Sequence, residues 1–157
     1  MITLDDLRIP MFADLPDEML KKLRDAADAI DFEDGDIVYN AGEVADIFYI
    51  VLSGEAVLEH SLSRDVQVIF SSVEPGYCFG WTALTKRQPR RATARSRGPS
   101  RMVRIHATEL QRLMDEDHTM GYVMYHAFME VVLGQLFTRT DQFLSMLSRH
   151  PDLKHAL

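Results

Sequence analysis

Two short stretches carry the residues best suited to chemistry. Phe79-Gly80 precedes Trp81-Thr82-Ala83-Leu84, and Pro89-Arg90-Arg91-Ala92 comes soon after. A glycine at such a turn lets the backbone come close to a ligand. The first amides of a helix have no partner inside it and favour an anion. A guanidinium nearby adds a planar fork of donors suited to phosphate or carboxylate. In an extended segment alternate side chains share a face, so Arg90, Ala92 and Ala94 fall on one side and Arg91, Thr93 and Arg95 on the other. The alanines leave room beside Arg90. The chemistry this implies is the binding of a small anion. No nucleophile–base pair, metal-ligand spacing or catalytic glycine-rich loop is present, so no enzymatic activity is expected.

The charge distribution points the same way. The chain of 157 residues has a net charge of -7, which argues against general nucleic-acid binding. Yet Lys86, Arg87, Arg90, Arg91, Arg95, Arg97, Arg101 and Arg104 supply eight of its 17 basic residues, with no acidic residue between them. Such a block attracts anions locally, although most of its members suit a solvated strand face. The length fits one domain. The N-terminus lacks a signal-peptide pattern and no apolar run is long enough to span a bilayer, so a cytoplasmic location is expected. The single Cys78 fits a reducing compartment and cannot by itself hold an iron–sulfur cluster or a multi-cysteine zinc site.

These residues need a scaffold, and the pattern along the chain supplies one. Pro16 to Ile30 reads as an amphipathic helix with Leu20, Leu23, Ala27 and Ile30 on one face, Pro16 in its first turn and Asp14 as a cap. From Asp31 to Ile105 the period changes. Strand-like runs at 37–39, 47–51, 56–58, 66–70 and 102–105 are punctuated by Asp34-Gly35, Ala41-Gly42, Ser53-Gly54, Pro75-Gly76 and Gly98-Pro99. Short strands at close spacing predict an antiparallel sandwich or barrel. Next come a short helix over Ala107–Met114 and a long one from His118 to Arg149. The long helix carries apolar residues on more than one face, among them Tyr122, Met124, Phe128, Met129, Val132 and Phe137. One face is expected to pack on the roll and the other on a second copy of the helix.

The ordered set Phe32-Glu33-Asp34-Gly35-Asp36, Ala41-Gly42 through Tyr49-Ile50-Val51 and Gly54, Pro75-Gly76-Tyr77-Cys78-Phe79-Gly80, and Pro89-Arg90-Arg91-Ala92-Thr93-Ala94 resembles the cyclic-nucleotide-binding domain of the Crp/Fnr, catabolite-activator-like regulators and of cyclic-nucleotide-dependent kinases. The resemblance covers about three quarters of the chain. It implies a mainly β fold with flanking helices, a double-stranded antiparallel β-helix or jelly-roll-like β-roll, with an N-terminal helix and a long C-terminal dimerisation helix. Residues 1–117 would form the roll with its N-terminal and short cassette helices, 118–149 the long helix, and 150–157 a tail. It places Phe79, Gly80, Trp81, Thr82, Ala83, Arg90, Arg91 and Ala92 in the phosphate cassette, with Arg90 as the phosphate partner. It also implies a signalling role exerted through the dimer helix or a further protein partner, a homodimer, and a cyclic nucleotide or another small anion as ligand, with no metal.

Two positions depart from the family pattern. Trp81 stands where a glutamate normally accepts the ribose 2′-hydroxyl, and an indole offers only a donor. Arg91 replaces a small Ala or Ser. Both argue for an anion other than cyclic AMP or GMP. The eight residues after Arg149 are too few for a helix-turn-helix, so no direct DNA contact is expected. The competing readings are a ligand-free dimeric interaction module and a haem-based sensor, for which His60, His106, His118, His126 and Cys78 are the available ligands. Glu109, Asp115, Glu116 and Asp117 suit solubility and the helix dipole. Met114, Met120, Met124 and Met129 suit adaptable packing. Thr138 and Thr140 face either a ligand or solvent.

Overall fold

The computed structural model describes residues 2–63, 66–85 and 88–149; Lys86, Arg87 and the tail at 150–157 lie outside the described residues. Two single 3-10 turns, Asp5–Leu7 and Pro10–Phe12, lead into α1 (Asp17–Asp25). The strands are β1 (Ala27–Phe32), β2 (Ile37–Tyr39), β3 (Ile47–Ser63), β4 (Val66–Val73), β5 (Cys78–Phe79) and β6 (Thr93–His106), and the chain continues into α2 (Ala107–Glu116) and α3 (His118–Arg149). The strands form one six-stranded antiparallel sheet in the order β1-β6-β3-β4, with β2 on β6 and β5 on β3. This is the expected rolled sheet with flanking helices.

Three expectations need correction. The first helix stops at Asp25, not Ile30, and Ala27–Phe32 is a strand. Its ADAIDF sequence puts Asp28 and Asp31 outward, opposite Arg104 and Arg101 of β6. The ladder and those charge pairs outweigh the apolar spacing that suggested more helix. Pro16 is the extended cap residue, not the first helical one, and Asp14 makes no cap bond.

Next, the runs at 47–51 and 56–58 are one strand. Gly54, at φ 76°, is a bend inside β3 where the pairing register slips, and Gly98 is the matching bend in β6. The two bends touch: a Cβ on Gly54 would lie 2.5 Å from the Pro99 carbonyl oxygen. A glycine here lets the sheet fold back over itself.

Finally, four of the six described residues of the basic block are already paired with carboxylates. Arg95 pairs with Glu59 at 3.5 Å, Arg97 with Glu55 at 3.3 Å, Arg101 with Asp31 at 3.4 Å and Arg104 with Asp28 at 3.8 Å. These arginines form a cross-strand charge ladder, which leaves little field for free anions.

Alternation along the strands sorts side chains into two cores. Phe48 and Ile50 of β3, Val103 and Ile105 of β6 and Cys78 of β5 face the helices, where they meet Leu7, Phe12, Leu20, Leu23 and Leu110, and Met120, Met124 and Phe128 of α3. Tyr49, Val51, Met102, Ala94 and Phe79 face the roll interior with Tyr39, Ala56 and Val73. The turn after β5 lies between these cores.

Candidate anion-binding site

Gly80 ends β5 with φ 85°, a conformation only glycine adopts at low cost. The next segment, Trp81–Leu84, is one 3-10 turn, not a helix with a row of free amides. The Ala83 amide is already spent on the Gly80 carbonyl at 2.9 Å. A single turn has little macrodipole. Any attraction for an anion at this turn would therefore have to come from the arginine.

Arg90 is fixed through its backbone. Its N–H donates to the Glu43 carbonyl at 2.8 Å and its own carbonyl accepts from Gly42 at 2.9 Å. Burial alternates from here into β6: Arg90 and Ala92 are buried while Arg91 is exposed. The Arg90 side chain turns inward and is only 4% exposed. Its Nη1 donates to the Gly80 carbonyl at 3.1 Å and its Nη2 to the Ile47 carbonyl at 2.5 Å. The guanidinium carbon sits 4.2 Å over the Tyr39 ring and 6.0 Å from that of Tyr49. Tyr49 in turn stacks on Phe79 at 5.1 Å.

Among the described residues no carboxylate lies within ion-pair distance of this cation. Its Nε is buried without a partner. Unlike the four ladder arginines, it enters no ion pair among the described residues. Burial pushes the Tyr39 phenol up to about 12 and raises Tyr49 as well, against the downward pull of Arg90, so both stay neutral. Glu43 is the acid that feels Arg90, but its carboxylate is held low mainly by Asn40, whose Nδ2 donates to it at 2.7 Å. Burying a charge without a partner is costly. A bidentate oxyanion would relieve the cost by taking the Nε edge of the fork.

The other expected cassette residues divide. Thr82 is half-buried and Ala83 buried. Arg91 points to solvent and Trp81 turns away from the roll interior: its indole meets the Phe48 ring edge-on at 5.1 Å and that of Phe128 on α3 at 5.6 Å. It neither fills the interior nor offers an acceptor there. Sequence reasoning missed Tyr39, Tyr49 and the Gly42-Glu43 backbone. Their only signal was strand parity, which puts Tyr49 with the interior set.

The remaining candidates have structural employment. His60 stacks on Phe70 at 5.0 Å, His126 lies near Tyr122, and His106 and His118 stand at the N-terminal boundaries of α2 and α3. The Cys78 thiol is buried against the Met11 sulfur at 3.2 Å and burial pushes it up to about 12, so it is no ready thiolate ligand. Asp117 takes a hydrogen bond from Lys22 at 2.8 Å and one from the Met120 amide at 3.0 Å. Glu109 and Glu116 pair with Arg112. Met114, Met120 and Met124 belong to the helix-side core, whereas Met129 is exposed. Thr138 and Thr140 donate to the carbonyls of Gly134 and Leu136 in their own helix. Thr138 also lines an open cleft of ≈ 640 Å³ between β4 and α3, with Phe70, Ser71 and Gln135.

A family model for the cyclic nucleotide-binding domain matches residues 29–117, more than half of the chain. The chain belongs to the cyclic nucleotide-binding domain family. The domain is 28% identical over 106 residues to a cAMP-dependent protein kinase regulatory subunit of Blastocladiella emersonii, an alignment covering 68% of this chain and 26% of that protein. The chain thus spans about a quarter of that relative's length. A Geobacter metallireducens GS-15 structure assigned as a cyclic nucleotide-binding protein matches with 28% identity and a TM-score of 0.76, over 87% of this chain and 99% of that one. The Thermus thermophilus catabolite activator protein shares the fold at 19% identity and a TM-score of 0.72, over 88% and 63% of the two chains. Among the described residues no helix of the domain is long and apolar enough to cross a membrane.

Proposed function

We propose that the domain is a sensor module in which Arg90, seated beside Gly80, takes the oxyanion of a small phosphate-bearing or similarly charged ligand. The observation that carries this reading is the Arg90 guanidinium, buried with an unpartnered Nε and no carboxylate across from it. Gly80 touches it through its carbonyl, and Thr82, Ala83 and Ala92 are the neighbouring turn and strand residues offered to a ligand. With Trp81 in place of an acceptor, a ribose hydroxyl gains nothing at that position, so the oxyanion and not the sugar dominates recognition. The output runs through Trp81. Its contact with Phe128 ties the cassette turn directly to α3, so a shift of Gly80 toward a ligand moves the helix. The exposed face of α3 pairs with a second copy.

Calorimetric titration with cyclic AMP, cyclic GMP and inorganic phosphate, on wild type and Arg90→Ala, tests this reading. Binding by wild type that the substitution abolishes supports it. Equal affinities remove Arg90 from the role. A second reading has its own observation: the two carbonyls and the Tyr39 ring already engage Arg90, as they would in a ligand-free interaction module. Failure of wild type to bind any of the three anions favours that module.

A further inference from the structure

The exposed side of α3 carries a spacing finer than a general apolar face. From Tyr122 the steps alternate three and four residues through Tyr125, Met129, Val132 and Leu136. Exposure of these five runs from 47% at Val132 to 73% at Tyr122. The next step lands on Arg139, and the two after it on Phe143 and Met146, 60% and 72% exposed. A repeat of 3.5 residues is complementary to another helix with the same repeat. Beside the seam from Met129 to Phe143, the flanking Leu133, Gln135, Thr140 and Gln142 carry no charge. Along that stretch of the seam itself, Arg139 is the charge an identical helix would meet.

Arg139 is also handled differently from its neighbours. It is half-buried where the surrounding residues of α3 are exposed. Its Nη1 donates to the Phe70 carbonyl of β4 at 2.5 Å, and its guanidinium carbon lies 5.3 Å from the Phe70 ring. The long stem spans from the helix to the roll while the charge is drawn off the seam.

We infer that Arg139 limits the strength of pairing between two copies of α3, because its charge must be held aside by the Phe70 carbonyl of its own roll. This rests on the pairing of α3 given under the proposed function. One polar residue in an apolar seam tunes association at a cost in affinity. Here that residue is also bonded to the edge strand, so the state of β4 bears on assembly.

Arg139→Gln removes the charge, keeps an amide donor for Phe70 and adds no apolar surface. Sedimentation of the full chain over a concentration series should show the variant associating about tenfold more tightly than wild type. Raising salt from about 0.1 M to about 1 M, which shortens the screening length from about 10 Å to about 3 Å, should tighten wild type and leave the variant unchanged. An affinity for the variant equal to or weaker than wild type overturns the role of Arg139, since a plain structural anchor would behave so. Leu136→Ala separates the two layers of the claim. If it weakens association, the seam stands whatever Arg139 does; if it has no effect, or if no form of the chain associates, the seam itself is refuted.

Discussion

Replacing Arg90 with Met separates the cost of a buried cation from its use. Met keeps much of the stem volume and discards the charge. In the unliganded domain Arg90 gains two charge-assisted hydrogen bonds, about 1.5–3 kcal/mol each, and a desolvated contact with the Tyr39 ring of about 2 kcal/mol. Against these stand several kcal/mol for desolvating an unpaired charge and about 1–3 kcal/mol for the orphaned Nε. After substitution the Gly80 carbonyl still accepts from Ala83, so only the Ile47 oxygen loses a polar partner outright. The terms nearly cancel. Arg90→Met should leave unfolding free energy within about 2 kcal/mol of wild type, hence Tm within roughly 4–8 °C. Anion binding should behave otherwise. Losing a two-pronged charged fork removes about 3–6 kcal/mol, or about 10²–10⁴ in affinity. Scanning calorimetry of both proteins, with and without phosphate or cyclic nucleotide at saturation, reads both quantities. Wild type at a hundred times Kd should gain about 2.7 kcal/mol and the variant almost nothing. If Arg90→Met instead loses more than about 4 kcal/mol without ligand and keeps its anion affinity, the guanidinium is a structural pin and the reasoning fails.

Other substitutions probe the neighbours. Trp81→Ala should cost about 2–3 kcal/mol in denaturant unfolding, because it removes a half-buried indole and two edge contacts worth about 0.5–1.5 kcal/mol each. Trp81→Glu restores the carboxylate that the family pattern places there, and competition titration should show cyclic AMP gaining on inorganic phosphate; a ratio unchanged from wild type refutes the idea that this position selects against ribose. Gly80→Ala puts a Cβ 3.0 Å from both Arg90 Nη1 and the Ile47 carbonyl, at φ 85°. It should cost about 1–3 kcal/mol in strain and lower anion affinity with it. Asp117, held below the usual carboxylate range chiefly by the Lys22 hydrogen bond, contributes stability that is complete above its unfolded value and disappears as pH falls through the lower folded one. Asp117→Asn should therefore lower Tm at neutral pH, with the gap to wild type closing in strong acid.

The sequence showed most of the roll because its signals were local. Turn glycines and the continuous β-branched and aromatic run Phe48, Tyr49, Ile50 and Val51 mark strands whatever their partners are. What it hid depends on partners. Ala27–Phe32 has apolar spacing that serves a helix as well as a strand, and only the arginines of β6, distant in the chain, decide for the strand. The same pairing turned an apparent anion-attracting block into a neutral ladder. Arg90 was separable from that block by parity with Ala92 and Ala94. The absence of any acid opposite it was not, since that is a fact about β3 and the loop before it.

Trp81 shows how far a site can be read from residue types alone. As a replacement for an acceptor, the indole left three outcomes open: filling the pocket, stacking on a ligand, or turning away. Strand parity does not reach past Gly80, whose left-handed backbone ends the extended segment and starts the 3-10 turn. The indole takes the larger apolar surface, the edges of Phe48 and Phe128 on the helix side. That choice keeps the interior beside Arg90 clear of the ring. It also joins the turn that carries Gly80 to α3. Under the proposed function, Trp81 therefore bears on two things at once. Selectivity for a sugar would fall because an indole offers no acceptor, and coupling to α3 would run through an aromatic ring packed directly against Phe128.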